Sequence, residues 1–254
     1  MDKCIIFCDI DGTLVDVGGR SMSESVIAEI NRLKSHGHIP VIVTGRSFSQ
    51  LEDLGGIENF DYIASLFGNV IIEPNRKTKV IGHSLDISSA KKLVQIIKEN
   101  NRSWHYKDAR RSKCLINDKA TIEKHKATLV SEQEFEQDLI NGNVFQLFVV
   151  GKVFGNAKNM FPKFEFYQMP GGYFDVTDKR VTKKIAINYF KSLFPDYKTI
   201  SIGDSDNDID MLINTDISIS MGNAKPEIQA LTTYVTLPVS QDGFVYAFNN
   251  ILKL

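Results

Sequence analysis

Lys3-Cys-Ile-Ile-Phe-Cys-Asp9 is a nearly continuous apolar run that ends in a carboxylate. Such a run is typical of a parallel strand at the centre of a sheet, covered on both faces. An amphipathic helix follows, whose start is marked by Ser21 and Glu24 at capping-box spacing, and then a second buried strand over residues 40–44. Strands that alternate with helices in this way predict right-handed crossovers and a parallel sheet.

The pattern changes at about residue 83, where a mixture of helices and strands of α+β type begins. The first pattern returns after this block with a helix and the apolar strand Thr199–Gly203. We therefore predict an α/β fold in which one domain is inserted into another. Residues 1–82 and 175–254 form the core with a mainly parallel sheet, and residues 83–174 form the inserted α+β domain.

The composition is that of a globular protein, since 43% of the 254 residues are hydrophobic and 24% are charged. The net charge of -1 gives no basic footprint for nucleic acid. No apolar run reaches membrane-spanning length and no signal-peptide pattern is evident, so we expect no membrane partner. Cys4, Cys8 and Cys114 are odd in number and lack metal-site spacing, which favours buried thiols and a cytoplasmic location. No protein partner is indicated.

Three of the predicted strands end in polar residues. Asp9-Ile-Asp-Gly-Thr13 follows the first strand, Thr44-Gly-Arg46 follows the second, and Gly203-Asp-Ser-Asp-Asn-Asp208 follows the strand after the insertion. Ligands of open parallel sheets bind beyond the carboxyl ends of the strands, so these segments should meet at one edge. They would bring together up to five carboxylates, one threonine hydroxyl and one arginine.

Carboxylates that crowd together repel one another, which favours a cation between them. Oxygen ligands without clustered histidine or cysteine indicate a hard cation, and Mg²⁺ is the best candidate. Asp9 and Asp11 are two residues apart in an extended segment and point the same way, so one can attack phosphorus while the other transfers protons. Gly12 lets the chain turn sharply with its amides open to an anion.

Each segment has a simpler interpretation when it is taken alone. Asp9-Ile-Asp-Gly12 is compatible with a plain turn or a calcium loop, although Thr13-Leu-Val15 follows where such a loop needs further oxygen ligands. Residues 204–210 are compatible with a solvated loop and a helix N-cap, and residues 44–46 with an ordinary strand-to-helix turn. The coincidence of all three at one edge favours a catalytic site.

Six stretches of the chain resemble motifs of the haloacid dehalogenase-like (HAD) superfamily, and of its Cof-type branch in particular. In chain order they are Asp9-Ile-Asp-Gly-Thr13, Val43-Thr-Gly-Arg46, Val181-Thr-Lys183, Gly203-Asp-Ser-Asp-Asn-Asp208, and Met221-Gly-Asn-Ala224 followed by Asp242-Gly-Phe244. Lys183 fits the register of the third motif better than the adjacent Lys184. The resemblance covers residues 5 to about 248, and it implies a three-layer, Rossmann-like core with an α/β cap.

The resemblance also implies the activity, which is hydrolysis of a small phosphomonoester such as a sugar phosphate. Asp9 would be the nucleophile and Asp11 the general acid and base. Thr44 would hold the phosphoryl oxygens, and Lys183 would neutralise their charge. The alternatives are a phosphomutase on the same core and a non-catalytic protein that binds a phosphorylated metabolite.

The implied cofactor is Mg²⁺, held by Asp9, the backbone carbonyl of Asp11 and Asp204, with Asp208 as a supporting member of the metal site. The implied substrate-binding residues are Gly12, Gly45, Arg46, Asn207 and Asn223.

The sequence departs from the Cof-type pattern at Phe67-Gly-Asn69, which stands where Asn-Gly-Ala is usual, so we assign no substrate contact to Asn69. We expect the cap to choose the substrate, first through the segment Trp104–Arg111. Its rings, such as Tyr106, would stack on a sugar or base, and Arg110 or Arg111 would meet a second anionic group.

Overall fold

The computed structural model of the protein describes residues 3–75, 77–115, 119–169 and 171–254. The strands are β1 (Cys4–Cys8), β2 (Ile39–Val43), β3 (Tyr62–Ser65), β4 (Val70–Ile72), β5 (Thr78–Val80), β6 (Trp104–Lys107), β7 (Ser112–Cys114), β8 (Ala127–Leu129), β9 (Gln146–Val150), β10 (Phe164–Met169), β11 (Tyr173–Asp178), β12 (Lys198–Gly203), β13 (Ile217–Ser220) and β14 (Tyr234–Val235). The α-helices are α1 (Glu24–Ser35), α2 (Phe48–Leu51), α3 (Ile87–Glu99), α4 (Lys119–His125), α5 (Glu132–Ile140), α6 (Ala157–Met160), α7 (Lys184–Leu193), α8 (Ile209–Leu212), α9 (Pro226–Gln229) and α10 (Gly243–Tyr246).

The chain divides into two compact units. The first comprises Met1–Gly45, Leu51–Ile81 and Thr182–Leu254, and the second comprises Gly82–Val181 together with Arg46–Gln50. The boundary that the sequence analysis set at residue 174 falls inside β11, all of which belongs to the second unit. A cap role for the second unit stays a prediction.

The first unit is built on an eight-stranded sheet in the order β14-β13-β12-β1-β2-β3-β4-β5. The strands from β14 to β3 run parallel, and β4 and β5 are added antiparallel. Ile5 and Phe7 of β1 pack in one cluster with Phe190 of α7 on one face of the sheet. Helix α1 contacts β2, and its apolar residues Val26, Ile30 and Leu33 are buried. The predicted α/β fold with a mainly parallel sheet is confirmed.

The start of helix α1 corrects one expectation. Ser23 is the N-cap, because its Oγ accepts a hydrogen bond from the Val26 amide at 3.2 Å. Ser21 instead forms an isolated parallel bridge with Gly55, which holds its backbone extended before the helix begins. The capping box predicted from Ser21 and Glu24 is therefore wrong, since the helix starts two residues further along the chain.

The turn between β3 and β4 contains three successive residues with positive φ, namely Leu66 (51°), Phe67 (59°) and Gly68 (90°). Bulky side chains rarely adopt this left-handed conformation, so the surrounding structure must hold the turn in place. The Phe67 amide donates to the Thr44 carbonyl at 2.8 Å, and both large side chains of the turn are buried. This hydrogen bond holds the turn against the chain just beyond the end of β2.

The second unit contains a six-stranded sheet in the order β10-β11-β9-β6-β7-β8, antiparallel except for the β7–β8 pair. Trp104 and Tyr106 of β6 lie in a buried apolar cluster with residues of α3 and α5. The Tyr106 hydroxyl donates to Asp138 Oδ2 at 2.8 Å. Both rings are thus part of the hydrophobic core of this unit, and the hypothesis that they stack on a substrate is wrong.

Arg110 and Arg111 lie in the turn between β6 and β7, where both backbone amides donate to Asp108 Oδ1 at 2.7 Å. The Arg110 guanidinium lies over the Phe48 ring, 4.7 Å from its centroid. Cys4, Cys8 and Cys114 are buried thiols, as the sequence predicts. Across the described residues, no helix combines the length and the apolar character that a membrane crossing needs.

Candidate active site

Asp9 lies directly beyond the end of β1, the strand that separates β12 from β2 in the parallel sheet. Its amide donates to the Ile202 carbonyl of β12 at 3.1 Å, which continues the β1–β12 pairing by one residue. The segments after β1, β2 and β12 therefore leave the sheet at the same edge, because neighbouring parallel strands end together. The predicted meeting of three polar segments at one edge is observed.

Lys183 is placed between two of these carboxylates. It precedes the first residue of α7 and is completely buried, and its Nζ donates to Asp9 Oδ1 and to Asp208 Oδ1, both at 2.5 Å. The neighbouring Lys184 is exposed. Burial alone would lower the pKa of Lys183, but Asp208 and Asp9 outweigh it and raise the pKa, so this side chain is a permanent cation.

Asp208 has hydrogen-bond donors on both of its oxygens. Besides Lys183 on Oδ1, its Oδ2 accepts from the amides of Asp204 and Ser205 at 3.0 and 2.9 Å and from Ser205 Oγ at 3.1 Å. The loop after β12 is thus folded around this carboxylate. Sequence reasoning overlooked Ser205, although its spacing from Asp208 is the signal of a capping interaction and was available.

Gly12 and Asn223 fix the position of Asp204. Asn223 Nδ2 donates to the Gly12 carbonyl at 2.9 Å and to Asp204 Oδ2 at 3.1 Å. Gly12 has a φ of 87°, and a Cβ atom at this position would lie 2.3 Å from Asp204 Oδ2. Glycine is required here both for the left-handed backbone and for the close approach of the carboxylate.

The carboxylates of Asp9, Asp204 and Asp208 each offer an oxygen within 4.8 Å of the others. Burial raises the pKa of Asp9, and Asp208 and Asp204 add to this effect while Lys183 opposes it. Burial and the charge of Asp208 likewise raise the pKa of Asp204 to about 7. Three carboxylates with one lysine leave an excess of negative charge.

Asp204 Oδ1 is buried and has no hydrogen bond to any residue in the described part of the chain. A buried carboxylate oxygen without a partner is costly unless a cation or water completes it. The donor set is all oxygen, which is the chemistry that Mg²⁺ prefers. The residues present therefore fit a bound divalent cation between Asp9 and Asp204.

Thr44 follows β2 and is buried, and its amide donates to the Ala64 carbonyl at 2.9 Å. The next residue, Gly45, lies against the Phe67 ring, so that a Cβ atom at residue 45 would be 2.7 Å from Phe67 Cζ. Sequence reasoning missed this role of Phe67, which appeared only as a departure from the family pattern. No periodicity or motif in the sequence reveals a contact between these two loops.

The remaining predicted residues are less tightly placed. Asp11 is partly exposed, and its Oδ1 accepts from the Gly18 amide at 3.3 Å. Asn207 is partly exposed and accepts from Ser205 Oγ at 3.2 Å. Thr13, which ends the first motif, has a buried hydroxyl with no hydrogen bond among the described residues. Arg46 belongs to the second unit.

Comparison with known proteins identifies the family. A model of haloacid dehalogenase-like hydrolases matches residues 6–248. The chain belongs to this family. The matched residues include Asp9, Lys183 and the Asp204–Asp208 loop, and they also include the whole second unit.

Relatives within the family cover nearly the whole chain. A Bacillus subtilis (strain 168) protein named "Putative phosphatase YkrA" is 26% identical over an alignment of 260 positions that covers 99% of this chain and 98% of the relative. The solved structure of BT4131, described as a HAD subclass IIB sugar phosphatase, is 22% identical, covers 99% of this chain and 100% of its own, and has a TM-score of 0.82. BT1666 from Bacteroides thetaiotaomicron, a HAD phosphatase, has the same TM-score at 20% identity, over 100% and 96% of the two chains. The two structures support the fold.

Replacing Lys183 by methionine should lower both stability and activity. The change leaves Asp9 and Asp208 buried without their shared cation, which should cost about 3–5 kcal/mol in the free energy of unfolding. Lys184→Met is the matched control, and it should change that free energy by less than about 0.5 kcal/mol because Lys184 is exposed. Urea unfolding followed by circular dichroism measures both. Equal effects of the two variants would contradict the central position of Lys183.

Replacing Gly12 by alanine should abolish turnover, because the added Cβ atom would displace the Asp204 carboxylate. Gly37→Ala is the control, since Gly37 has a φ of 85° but only an ordinary contact with Lys3 at 3.4 Å. Both variants should lose about 1–2 kcal/mol of stability from the left-handed backbone. Only Gly12→Ala should also lose catalytic activity, measured as kcat/KM for phosphate release. Retention of activity in Gly12→Ala would show that the position of Asp204 is not critical.

Proposed function

We propose that this protein hydrolyses small phosphomonoesters, sugar phosphates among them, through a phosphorylated Asp9. The observation that carries the proposal is the pair of 2.5 Å contacts by which Lys183 joins Asp9 to Asp208 at the carboxyl edge of the sheet. Phosphoryl transfer depends mainly on positioning and on neutralising charge, and this arrangement supplies both. The phosphatase names of the relatives agree with it.

The proposed cofactor is Mg²⁺, held by Asp9, Asp204 and the backbone carbonyl of Asp11. When bound, it would offset the charge of a phosphoryl group and of the carboxylates around it. Asp208 already has donors on both oxygens, so we assign it a supporting role, in which it fixes Lys183 and the amides of Asp204 and Ser205.

In the first step, an Asp9 oxygen attacks phosphorus, and the bond from phosphorus to the substrate oxygen breaks. Asp11 donates a proton to that leaving oxygen, which departs as an alcohol. Lys183 neutralises the carboxylate that attacks and the phosphoryl oxygens near it. The Thr44 hydroxyl and the backbone at Gly12 and Gly45 donate to the same oxygens.

In the second step, Asp11 takes a proton from water, and the water oxygen attacks the phosphorus held on Asp9. The bond between phosphorus and the Asp9 oxygen breaks, which releases inorganic phosphate and restores the carboxylate. Asp11 suits this double role because it is the more exposed of the two aspartates in the first motif. Arg46, Asn207 and Asn223 are proposed to orient the substrate and the loops around it.

Asp9→Asn should remove turnover, because an amide oxygen cannot form a stable phosphoryl intermediate. We expect a loss of about 10³-fold or more, typical of removing a nucleophile. Asp206→Asn is the control, since Asp206 lies in the same acidic loop but is exposed and paired with Lys225 at 2.6 Å. Phosphate release from a panel of phosphorylated metabolites measures both variants.

The same panel separates the proposed function from its rivals. A phosphomutase would convert substrates to isomers with little phosphate release, and a binding protein would do neither. Phosphorylation of Asp9, trapped by rapid acid quench and located by mass spectrometry, supports the hydrolase. A label on any other residue, or turnover by Asp9→Asn within tenfold of the wild type, would overturn the assignment.

The raised pKa of Asp204 predicts a pH-dependent response to Mg²⁺. When a chelator removes Mg²⁺, the folded protein binds the proton of the Asp204 carboxyl more tightly than the unfolded chain does. Aspartates of the unfolded chain titrate near pH ~4. The contribution of Asp204 to the free energy of unfolding should therefore fall as the pH rises from ~4 to about 7, where Asp204 ionises in the folded state. Mg²⁺ binds the ionised form, so its stabilising effect should grow over the same window.

Thermal unfolding with and without Mg²⁺, at pH values below and above this window, measures the response. The rise in Tm caused by Mg²⁺ should be clearly larger at the higher pH in the wild type. Asp204→Asn should show a small shift that no longer depends on pH. A shift of the same size at both pH values in the wild type would argue against a cation at Asp204.

A further inference from the structure

A pocket in the second unit lies where three stretches of its chain meet. It has a volume of about 600 Å³ and is lined by residues 84–87, 162–163 and 178–180. All three stretches belong to the second unit, so the pocket is complete within it. Among the described residues that line it, none is predicted for catalysis or for the metal site. Its volume lies in the range of small-molecule sites.

Lys163 connects the three stretches. Its Nζ donates to Asp86 Oδ2 at 2.7 Å, which links it to the residue that precedes α3. Its carbonyl accepts from the Lys179 amide at 2.8 Å, and the next residue, Phe164, is the strand partner of Asp178. The walls are therefore held together before any ligand binds, which lowers the entropic cost of binding.

The two carboxylates of the pocket are already occupied by donors. Asp86 Oδ1 accepts from the amide and the hydroxyl of Ser89 at 3.0 and 2.7 Å, while Oδ2 pairs with Lys163. Asp178 accepts from Arg180, on Oδ1 from Nε at 2.8 Å and on Oδ2 from Nη2 at 2.9 Å. Neither carboxylate has an oxygen left without a donor.

Both carboxylates are also ionised. Hydrogen bonds from Lys163 and Ser89 hold the pKa of Asp86 well below its usual range. Burial opposes the same shift at Asp178, but the hydrogen bonds and the charge of Arg180 outweigh it and lower the pKa of that carboxyl. The pocket therefore contains two fixed negative charges, each paired with a cation.

The cations of the pocket have donors that remain unused. An ammonium carries three N–H groups and a guanidinium carries five. Arg180 gives Nε and Nη2 to Asp178, so its Nη1 has no acceptor among the described residues. Lys179 is exposed and forms no ion pair with any residue that the structure describes. Three cations against two carboxylates leave one net positive charge, so the pocket lacks an acceptor.

Part of the pocket wall is apolar. Leu85 is buried, Pro162 is exposed, and Ile87 at the start of α3 is 41% exposed. Covering an exposed isoleucine with an apolar group removes hydrophobic surface from water and favours binding. A ligand that fits the pocket thus carries an apolar group beside its negative charge.

The single net charge selects among anions. A carboxylate is a monoanion at neutral pH, whereas a phosphomonoester carries about 1.5–2 negative charges. A carboxylate therefore neutralises the pocket, while a phosphomonoester adds an excess of negative charge next to Asp86 and Asp178. The chemistry of the pocket favours the carboxylate.

We propose that this pocket binds a small monocarboxylate whose remainder is apolar. Lys179 and Arg180 contact the carboxylate, and Leu85 and Ile87 contact the apolar group. The proposal goes beyond the proposed phosphatase function and does not depend on it, because the pocket shares no residue with the predicted catalytic site.

Isothermal titration calorimetry of the full chain with benzoate and with isovalerate tests the proposal. Both probes combine one carboxylate with an apolar group, and at least one of them should bind saturably at one site per chain. Benzamide lacks the charge and acetate lacks the apolar group. Each should therefore bind more weakly than the better probe, by about fivefold or more.

Lys179→Glu tests the charged side of the pocket. The change turns one net positive charge into one net negative charge, so binding of the better probe should weaken by about fivefold or more. Lys152→Glu is the matched control, since Lys152 is an exposed lysine of the same unit that does not line the pocket. The control should bind the probe like the wild type, and both variants should keep a Tm near that of the wild type because the lysines are exposed.

Ile87→Ser tests the apolar side. It should weaken binding of the better probe by about threefold, because part of the apolar contact is lost. Ile140→Ser is the control, since Ile140 is 58% exposed in the same unit and lies outside the pocket lining. Binding to this control should not change.

The outcomes decide the proposal independently of the phosphatase assay. Weaker binding in Lys179→Glu, with normal binding in Lys152→Glu and in Asp9→Asn, supports it. Absence of saturable binding for both probes, or normal binding in both Lys179→Glu and Ile87→Ser, overturns it. Loss of binding in Asp9→Asn would place the probe in the predicted active site and overturns it as well. Phosphate release from the metabolite panel tests the proposed function separately, so either proposal can fail without the other.

Discussion

The contact of one buried ammonium with two buried carboxylates constrains the elements around it in the first unit. Lys183 satisfies Asp9 on one side and Asp208 on the other, and without it three carboxylates would be confined with no compensating charge. Breaking such a buried pair costs much more than a surface ion pair contributes. The start of α7 and the ends of β1 and β12 are therefore joined by electrostatics as well as by chain packing.

This constraint explains several local features that have little meaning alone. The loop after β12 turns its amides toward Asp208, because that carboxylate needs donors on the oxygen that Lys183 does not reach. Gly203 lies so close that a Cβ atom there would be 2.7 Å from Asp208 Cγ. The negative charge that remains after Lys183 is counted is concentrated at Asp9 and Asp204, where a divalent cation fits. These donors and charges are in position before any ligand binds. They can therefore stabilise charge during a reaction without first having to reorganise.

The sequence was sufficient for those parts of the molecule that depend on the ends of regular strands. The apolar run of β1 and the polar residues after β1, β2 and β12 predicted both the parallel sheet and the edge at which Asp9 and Asp204 meet. It was insufficient where a tertiary contact decides. Ser23 rather than Ser21 caps α1 because Ser21 pairs with Gly55, a residue more than thirty positions away. In the second unit, the alternation in β6 was visible, but which side faces the helices was not. The ring of Tyr106, which lies in the core, was therefore assigned to the substrate.

The contact between Gly45 and Phe67 limits the order in which residues 45 and 67 can be substituted during evolution. A larger residue at position 45 is admissible only after the ring at position 67 has been replaced by something smaller. That order, however, first opens a cavity beside the Thr44 loop, and truncating a buried phenylalanine costs about 3–5 kcal/mol. Either single substitution is thus expected to lower stability, so residues 45 and 67 should change together. A functional variant with a substitution at one of these positions should carry a compensating substitution at the other.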